Sequence, residues 1–157
     1  MLTKPLYRKL RKRLLSVGGK EVVLLGEDPH AEDILRDGIL WPDLRKKVRG
    51  GEPHRCHQNA ARLWLKDKSG KLSICTGYGL AAEIWVQHTW IIDKKHIKET
   101  VCVYDKYFGI QLNDNEALKL AIANLGREEV FGLIDDNQRI LEIVQRIVEG
   151  KHAKETA

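Results

Sequence analysis

Apolar residues recur along this chain at two spacings, and the change of spacing predicts where helix gives way to strand. Leu2, Leu6, Leu10 and Leu14 fall at every fourth position, which predicts an amphipathic helix at the start. Glu21 to Leu25 read as a short apolar strand ended by Gly26, and Pro29 to Leu35 as a helix stopped at Gly38. Residues 41–54, with Gly50, Gly51 and Pro53 near their end, read as a loop long enough to carry function. Beyond it Ala60, Leu63 and Trp64 restore the helical spacing, so a helix should begin within a residue or two of Cys56 and end near Gly70. Strands are expected near 72–80, 85–92, 96–104 and 107–112. Asn113 or Asn115 can cap a helix that runs through about Leu125, since Leu118, Ala121, Ile122 and Leu125 share a face. A final helix from about Asp136 to Val148 turns Ile140, Ile143, Val144 and Ile147 inward. The whole predicts one α+β domain over residues 1–150, a helix packed on an antiparallel β-meander with flanking helices, and a flexible tail at 151–157.

The strand from His96 carries the first chemical signal. Alternation places Ile97, Glu99, Val101 and Val103 on one face and Lys98, Thr100, Cys102 and Tyr104 on the other. Glu99 is then the one charge on an apolar face, and a buried carboxylate demands a specific partner. With Lys94-Lys95 as a two-residue turn, Ile92 faces Ile97, Trp90 faces Glu99 and His88 faces Val101. His88 then lies diagonal to Glu99 on the same face. A turn longer by one residue would send the two side chains to opposite faces.

The second signal is Cys56, at the expected helix start and among the polar residues Arg55, His57 and Gln58. Cysteine is often a small buried hydrophobe, but these neighbours describe the rim of a site. A thiolate is the nucleophilic form of cysteine, and a helix N-terminus and a nearby imidazolium both stabilise it. A thiol opening a helix, followed by an imidazole and a carboxylate on later strands, supplies the parts for acyl transfer. Cys56 would attack, His88 would shuttle the proton and Glu99 would orient His88. The Cys56 backbone N–H would serve as one oxyanion donor, with Gln58, Asn59 or Gln87 as the other. Asp105 is the alternative acid, although it follows the strand. Trp41, Trp64, Trp85 and Trp90 read as core residues, and Trp85 and Trp90 have a second reading as walls of a substrate groove beside His88.

The segments Arg55-Cys56-His57-Gln58-Asn59-Ala60-Ala61-Arg62-Leu63-Trp64, Thr76-Gly77-Tyr78-Gly79-Leu80, Trp85-Val86-Gln87-His88-Thr89-Trp90, Glu99-Thr100 and Tyr107-Phe108-Gly109-Ile110 also carry a resemblance. Over about residues 51–112 the chain resembles small bacterial and phage proteins similar to the papain-like superfamily of cysteine enzymes, including its transglutaminase-like and cell-wall endopeptidase branches. The resemblance implies a papain-like core with Cys56 as nucleophile, His88 as base and Glu99 as acid. The pattern departs from papain in having Arg55 where a glutamine just precedes the thiol, and in using Glu as the acid. The implied activity is that of a cysteine hydrolase, peptidase or acyltransferase on an amide, isopeptide or thioester bond, with a protein or peptide substrate and no cofactor.

Charge adds a second surface. The net charge is +5, yet Lys4, Arg8, Lys9, Arg11, Lys12 and Arg13 are six of the 27 basic residues, and the other 21 face 22 acids. The basicity is therefore a patch on the first helix, suited to an acidic partner or to nucleic acid. A noncatalytic nucleic-acid or protein binding module is the alternative this raises, although no aromatic residues interleave with the basic ones as a stacking platform would require. The simpler expectation is a helix docked by its leucines with its charges in water. Arg45, Lys46, Lys47 and Arg49 form a second basic cluster in the loop before Cys56.

Three cysteines without a close pair point to a reducing cytoplasm rather than a disulfide framework. No stretch suits a secretion signal or a membrane span. A zinc site built from His54, Cys56, His57 and His88, with Cys75 or Cys102, is a further alternative, but the spacing offers one ligand knuckle where structural sites use two. The metal expectation is therefore none.

Overall fold

A computed structural model describes residues 4–24, 28–48, 50–94, 96–100 and 102–156, and over these the protein is a mixed α+β fold. In chain order the elements are α1 (Lys4–Val17), β1 (Glu21–Val23), α2 (Ala31–Asp37), β2 (Ile39–Leu40), β3 (Arg45–Val48), α3 (Cys56–Lys66), β4 (Ser73–Ala81), β5 (Ile84–Ile92), β6 (His96–Glu99), β7 (Lys106–Gln111), α4 (Asp114–Leu125), α5 (Arg127–Asp135) and α6 (Gln138–Thr156). Leu2, Leu25, Gly26, Arg49, Lys95, Val101 and Ala157, each part of an expectation above, lie outside the described residues.

The sheet is ordered β2-β7-β4-β5-β6-β3, with β1 added to β5. β4, β5 and β6 follow one another antiparallel as expected, but the meander ends there. β7 returns to the far edge of β4, and β1 and β3 add parallel pairs, so the sheet is mixed. The expected strand over 96–104 stops at Glu99, because residues 102–105 carry the chain across the face that holds His88 instead of extending β6. Val103, expected on the apolar face, is accordingly 46% exposed. Glycine permits the return of β7: Gly77 is paired with Gly109, and a Cβ on Gly77 would lie 2.1 Å from the Phe108 carbonyl oxygen. β3 occupies part of what read as a loop, and α5 was not legible at all.

The β5–β6 register is the one that the alternation predicts, with Ile92 opposite Ile97 and Ile91 opposite Lys98. The β4–β5 turn uses Ala82 and Glu83, both at positive φ (49° and 64°), as a primed two-residue turn does.

All the core helices pack on one face of the sheet. Leu10 and Leu14 of α1 and Ile34 of α2 bury against Tyr78, Leu80, Trp85 and Phe108. α3 to α6 bury Ala60, Trp64, Ala121, Ile134 and Ile140 with Ile74 and Ile91. Asn113 caps α4 in a reciprocal box with Glu116. The helix that starts with Cys56 is anchored at its far end: Asn137 donates to Leu65 O at 2.7 Å, and Arg139 to Trp64 O at 3.2 Å. On the opposite face of the sheet Cys75, Trp90, Ile92, Ile97 and Tyr107 form a smaller cluster, with Trp41, Leu44 and Tyr104 packed on it. α6 is helical to Thr156, beyond the end expected near Val148.

Candidate active site

Strand pairing leaves an opening beside β5, and the start of α3 fills it. Residues 87–90 pair with β4 along one edge. On the other edge β1 stops at Val86 and β6 begins at Ile91. The backbone N–H groups of Thr89 and His57 lie towards the Cys56 thiol and favour its ionised form. α3 begins at Cys56 with no side-chain cap and no acid in its first turn. Its unpaired N–H groups and the positive end of its dipole therefore remain for the sulfur.

The His88 ring faces the same thiol. Its Nε2 lies 2.9 and 2.7 Å from Glu99 Oε1 and Oε2, which leaves the other ring nitrogen for Cys56. Burial alone would lower the His88 pKa, but hydrogen bonds to Cys56 and Glu99 and their charges raise it to about 9. Burial likewise opposes ionisation of Cys56, yet the hydrogen bond and charge of His88 and the two backbone N–H donors hold its pKa below the ordinary thiol value. Both shifts act in the direction of a thiolate–imidazolium pair.

Glu99 is 1% exposed and fully partnered. Besides His88 it accepts the Tyr107 hydroxyl at 2.7 Å, and that hydroxyl oxygen in turn accepts the Tyr104 N–H at 3.0 Å. Tyr107 is the site residue that the alternation pattern missed, because it arrives from β7 and the return of β7 to β4 is not a local feature. Tyr104 lies over His88 with ring centroids 4.4 Å apart, in space that only a glycine at 79 leaves open, since a Cβ there would stand 2.7 Å from the Tyr104 ring. Asp105, the alternative acid, is exposed in the bend before β7 and its backbone N–H bonds Leu80 O.

The expected oxyanion amides separate by position. Asn59 donates to Glu52 O at 2.8 Å and to Thr100 Oγ1 at 3.3 Å, and it accepts from the Glu52 N–H at 3.2 Å, so it clamps the loop before α3 to the end of β6. Gln87 points to the helix-covered face, where it borders the cavity that His57 also lines. Gln58 is half-buried on the first turn of α3, and its side chain makes no hydrogen bond to the described residues. Trp85 and Trp90 are 0% and 1% exposed, so neither walls an open groove; Trp85 donates to Gly18 O at 2.8 Å and Trp90 stacks near His88.

His57 turns the other way from Cys56. Its Nδ1 lies 2.6 Å from Thr89 Oγ1, which is 3.1 Å from Thr76 Oγ1, and burial holds its pKa below the ordinary value. Its ring borders a cavity between α2 and α4. The residues of the alternative zinc reading, His54, Cys56, His57 and His88 with Cys75 or Cys102, do not form a metal-ligand group: among the described residues the one such group is His30, Asp33 and Glu116, with donor atoms within 4.8 Å of one another at that cavity. No helix among the described residues is long and apolar enough to cross a membrane. Neither protein-family models, nor curated protein sequences, nor solved structures match this chain.

Proposed function

We propose that the protein is a cysteine hydrolase or acyltransferase of papain-like type, acting on an amide, isopeptide or thioester bond. The observation that carries the reading is the alignment of Cys56, His88 and Glu99 across the opening beside β5, with Glu99 on one ring nitrogen and the thiol at the other. Cys56 Sγ attacks the carbonyl carbon of a bound acyl group. The developing oxyanion is met by N–H groups at the start of α3, with the Gln58 amide as the second donor. His88 then passes its proton to the leaving amine or thiol as the tetrahedral adduct collapses to a thioester on Cys56. Water, an amine or a thiol, deprotonated by His88, takes the acyl group and restores the thiol.

Glu99 bonds Nε2 of His88 and so fixes the tautomer in which the other ring nitrogen serves the sulfur. Tyr107 holds Glu99 in place. The decisive experiment is alkylation of the native protein with iodoacetamide at pH 6, followed by peptide mapping. Labelling confined to Cys56 supports the reading, and equal labelling of Cys56 and Cys102 overturns it.

A further inference from the structure

The first turn of α3 carries Cys56 and His57, and the helix supplies little of its own to hold it. Arg55, at the N-cap, makes no side-chain bond to the turn. An uncapped first turn has free N–H groups and opens easily. The Asn59 clamp ties the helix to the preceding loop and to Thr100, but not to β5.

The His57 ring makes the tie to β5. Its Nδ1 lies 2.6 Å from Thr89 Oγ1, and Thr89 Oγ1 lies 3.1 Å from Thr76 Oγ1 on β4. Thr76 and Thr89 are register partners, so their side chains stand side by side on the helix-covered face. They are 4% and 2% exposed, and a hydroxyl both donates and accepts, so Thr89 serves the ring and Thr76 at once. Asp28 and His30 line the cavity that the ring also borders, and burial holds the His57 pKa below its ordinary value. The ring therefore acts as a neutral partner and not as a second base.

The same two residues approach the thiol by their main chains, since the N–H groups of His57 and Thr89 lie towards Cys56 Sγ. A closed path of contacts thus runs from the sulfur through Thr89 to its hydroxyl, on to the His57 ring, and back through the His57 main chain. We infer that the His57–Thr89 side-chain bond is a positioning device for the nucleophile: it keeps the N–H groups of both residues on the Cys56 sulfur, with Thr76 as its anchor in the sheet. A hydrogen bond to an ionised acceptor is among the strong ones, and it weakens steeply once the donor leaves its line. Cutting the tie lets the first turn of α3 move off β5 and draws the two donors apart. This inference rests on Cys56 being the nucleophile.

The rate of Cys56 alkylation by iodoacetamide, followed against pH, tests it. Thr89→Val keeps the shape and removes the hydroxyl, so the midpoint should rise and the rate at pH 6 should fall about tenfold, one pKa unit's worth of interaction. His57→Ala cuts the same bond from a half-buried position on the helix, should do the same, and carries the test if Thr89→Val does not fold. Thr89→Ser, which keeps the hydroxyl, should restore most of the native rate. Thr89→Val/His57→Ala should be no slower than the slower single variant, because both changes remove one bond. A native midpoint in the single variants alongside a lowered melting temperature would make the bond structural only and overturn the inference, as would rate losses that multiply in the double variant. Equal labelling of Cys56 and Cys102 in the native protein would overturn the nucleophile assignment instead.

Discussion

His88 and Glu99 are joined through Nε2 at 2.9 and 2.7 Å, both buried, on neighbouring strands and on one face of the sheet. A carboxylate this deep is unfavourable unless charge and hydrogen bonds compensate, and here the compensation comes from an imidazole aimed at a thiol. Replacing Glu99 with Gln keeps its volume and removes the charge that favours imidazolium. The Cys56 thiolate then loses its stabilising partner, and alkylation at pH 6 should slow by about tenfold, one pKa unit's worth of interaction. Asp105→Asn, at an exposed bend, should alkylate at the native rate. If Glu99→Gln also did so, another residue would have to orient the histidine.

The three thiols should differ sharply in rate. Cys56 is half-buried and held below the usual thiol range, Cys102 is exposed, and burial pushes Cys75 well above that range. At pH 6 the order of alkylation should be Cys56, then Cys102, with Cys75 unreactive until the protein unfolds. Mass mapping over a time course reads all three at once.

How much of this was legible in the sequence depends on how local each feature is. The Glu99–His88 pair followed from alternation and a two-residue turn, both properties of residues 84–99 alone. The Cys56 helix start followed from Gly50, Gly51 and Pro53 and the return of helical spacing. The path of β7 did not, since choosing β4 over β6 depends on the close approach at Gly77 and Gly109 and on where residues 102–105 cross. Tyr107 was lost as a site residue for the same reason. Asn59 shows a different limit: its amide chemistry was visible, but its partners, Glu52 and Thr100, are set by loop packing. α5 was missed because its buried residues, Val130 and Ile134, make only one helical repeat, while Phe131 between them is exposed.

Protonation of His88 should be measurable directly. With a folded pKa near 9 against an ordinary 6.5, His88 takes up a proton on folding in the window between them. Its stabilising contribution is therefore complete below pH 6.5 and is lost as the pH rises through about 9. Cys56 runs the other way, since its folded pKa is lowered: its contribution is present above the ordinary thiol pKa and lost as the pH falls through the folded value. Because the thiol is one of the groups that raise His88, Cys56→Ser should move the NMR titration midpoint of the ring down by about a unit or more. An unchanged midpoint would mean that thiol and ring do not communicate.

The first helix should prove to be structure before it proves to be a binding surface. Leu10 and Leu14 are 0% exposed, and the charged residues of α1 from Lys4 to Arg13 are exposed. Leu10→Ala should cost about 2–5 kcal/mol, visible as a lower melting temperature. Lys9→Glu/Lys12→Glu should leave the melting temperature nearly unchanged and weaken any salt-sensitive retention on a polyanion column.

Tyr104 offers the sharpest test of how the site is covered. Its ring lies 4.4 Å from that of His88, occupying the space above Gly79, where a Cβ would come within 2.7 Å of it. Gly79→Ala therefore cannot keep both the strand and the ring where they are. β4 is paired on both sides, to β5 and to β7, whereas Tyr104 sits on the connection between β6 and β7. The ring should yield and the strand should not. Overpacking of this kind costs about 1–3 kcal/mol, so the protein should still fold with a lower melting temperature. Loss of Tyr104 from the face of His88 removes its ring-current shift and uncovers the imidazole. The His88 ring protons should move in the NMR spectrum, and alkylation of Cys56 by a bulky maleimide should gain more than alkylation by iodoacetamide. Native shifts and an unchanged maleimide-to-iodoacetamide ratio in Gly79→Ala would show that Tyr104 does not cover the site.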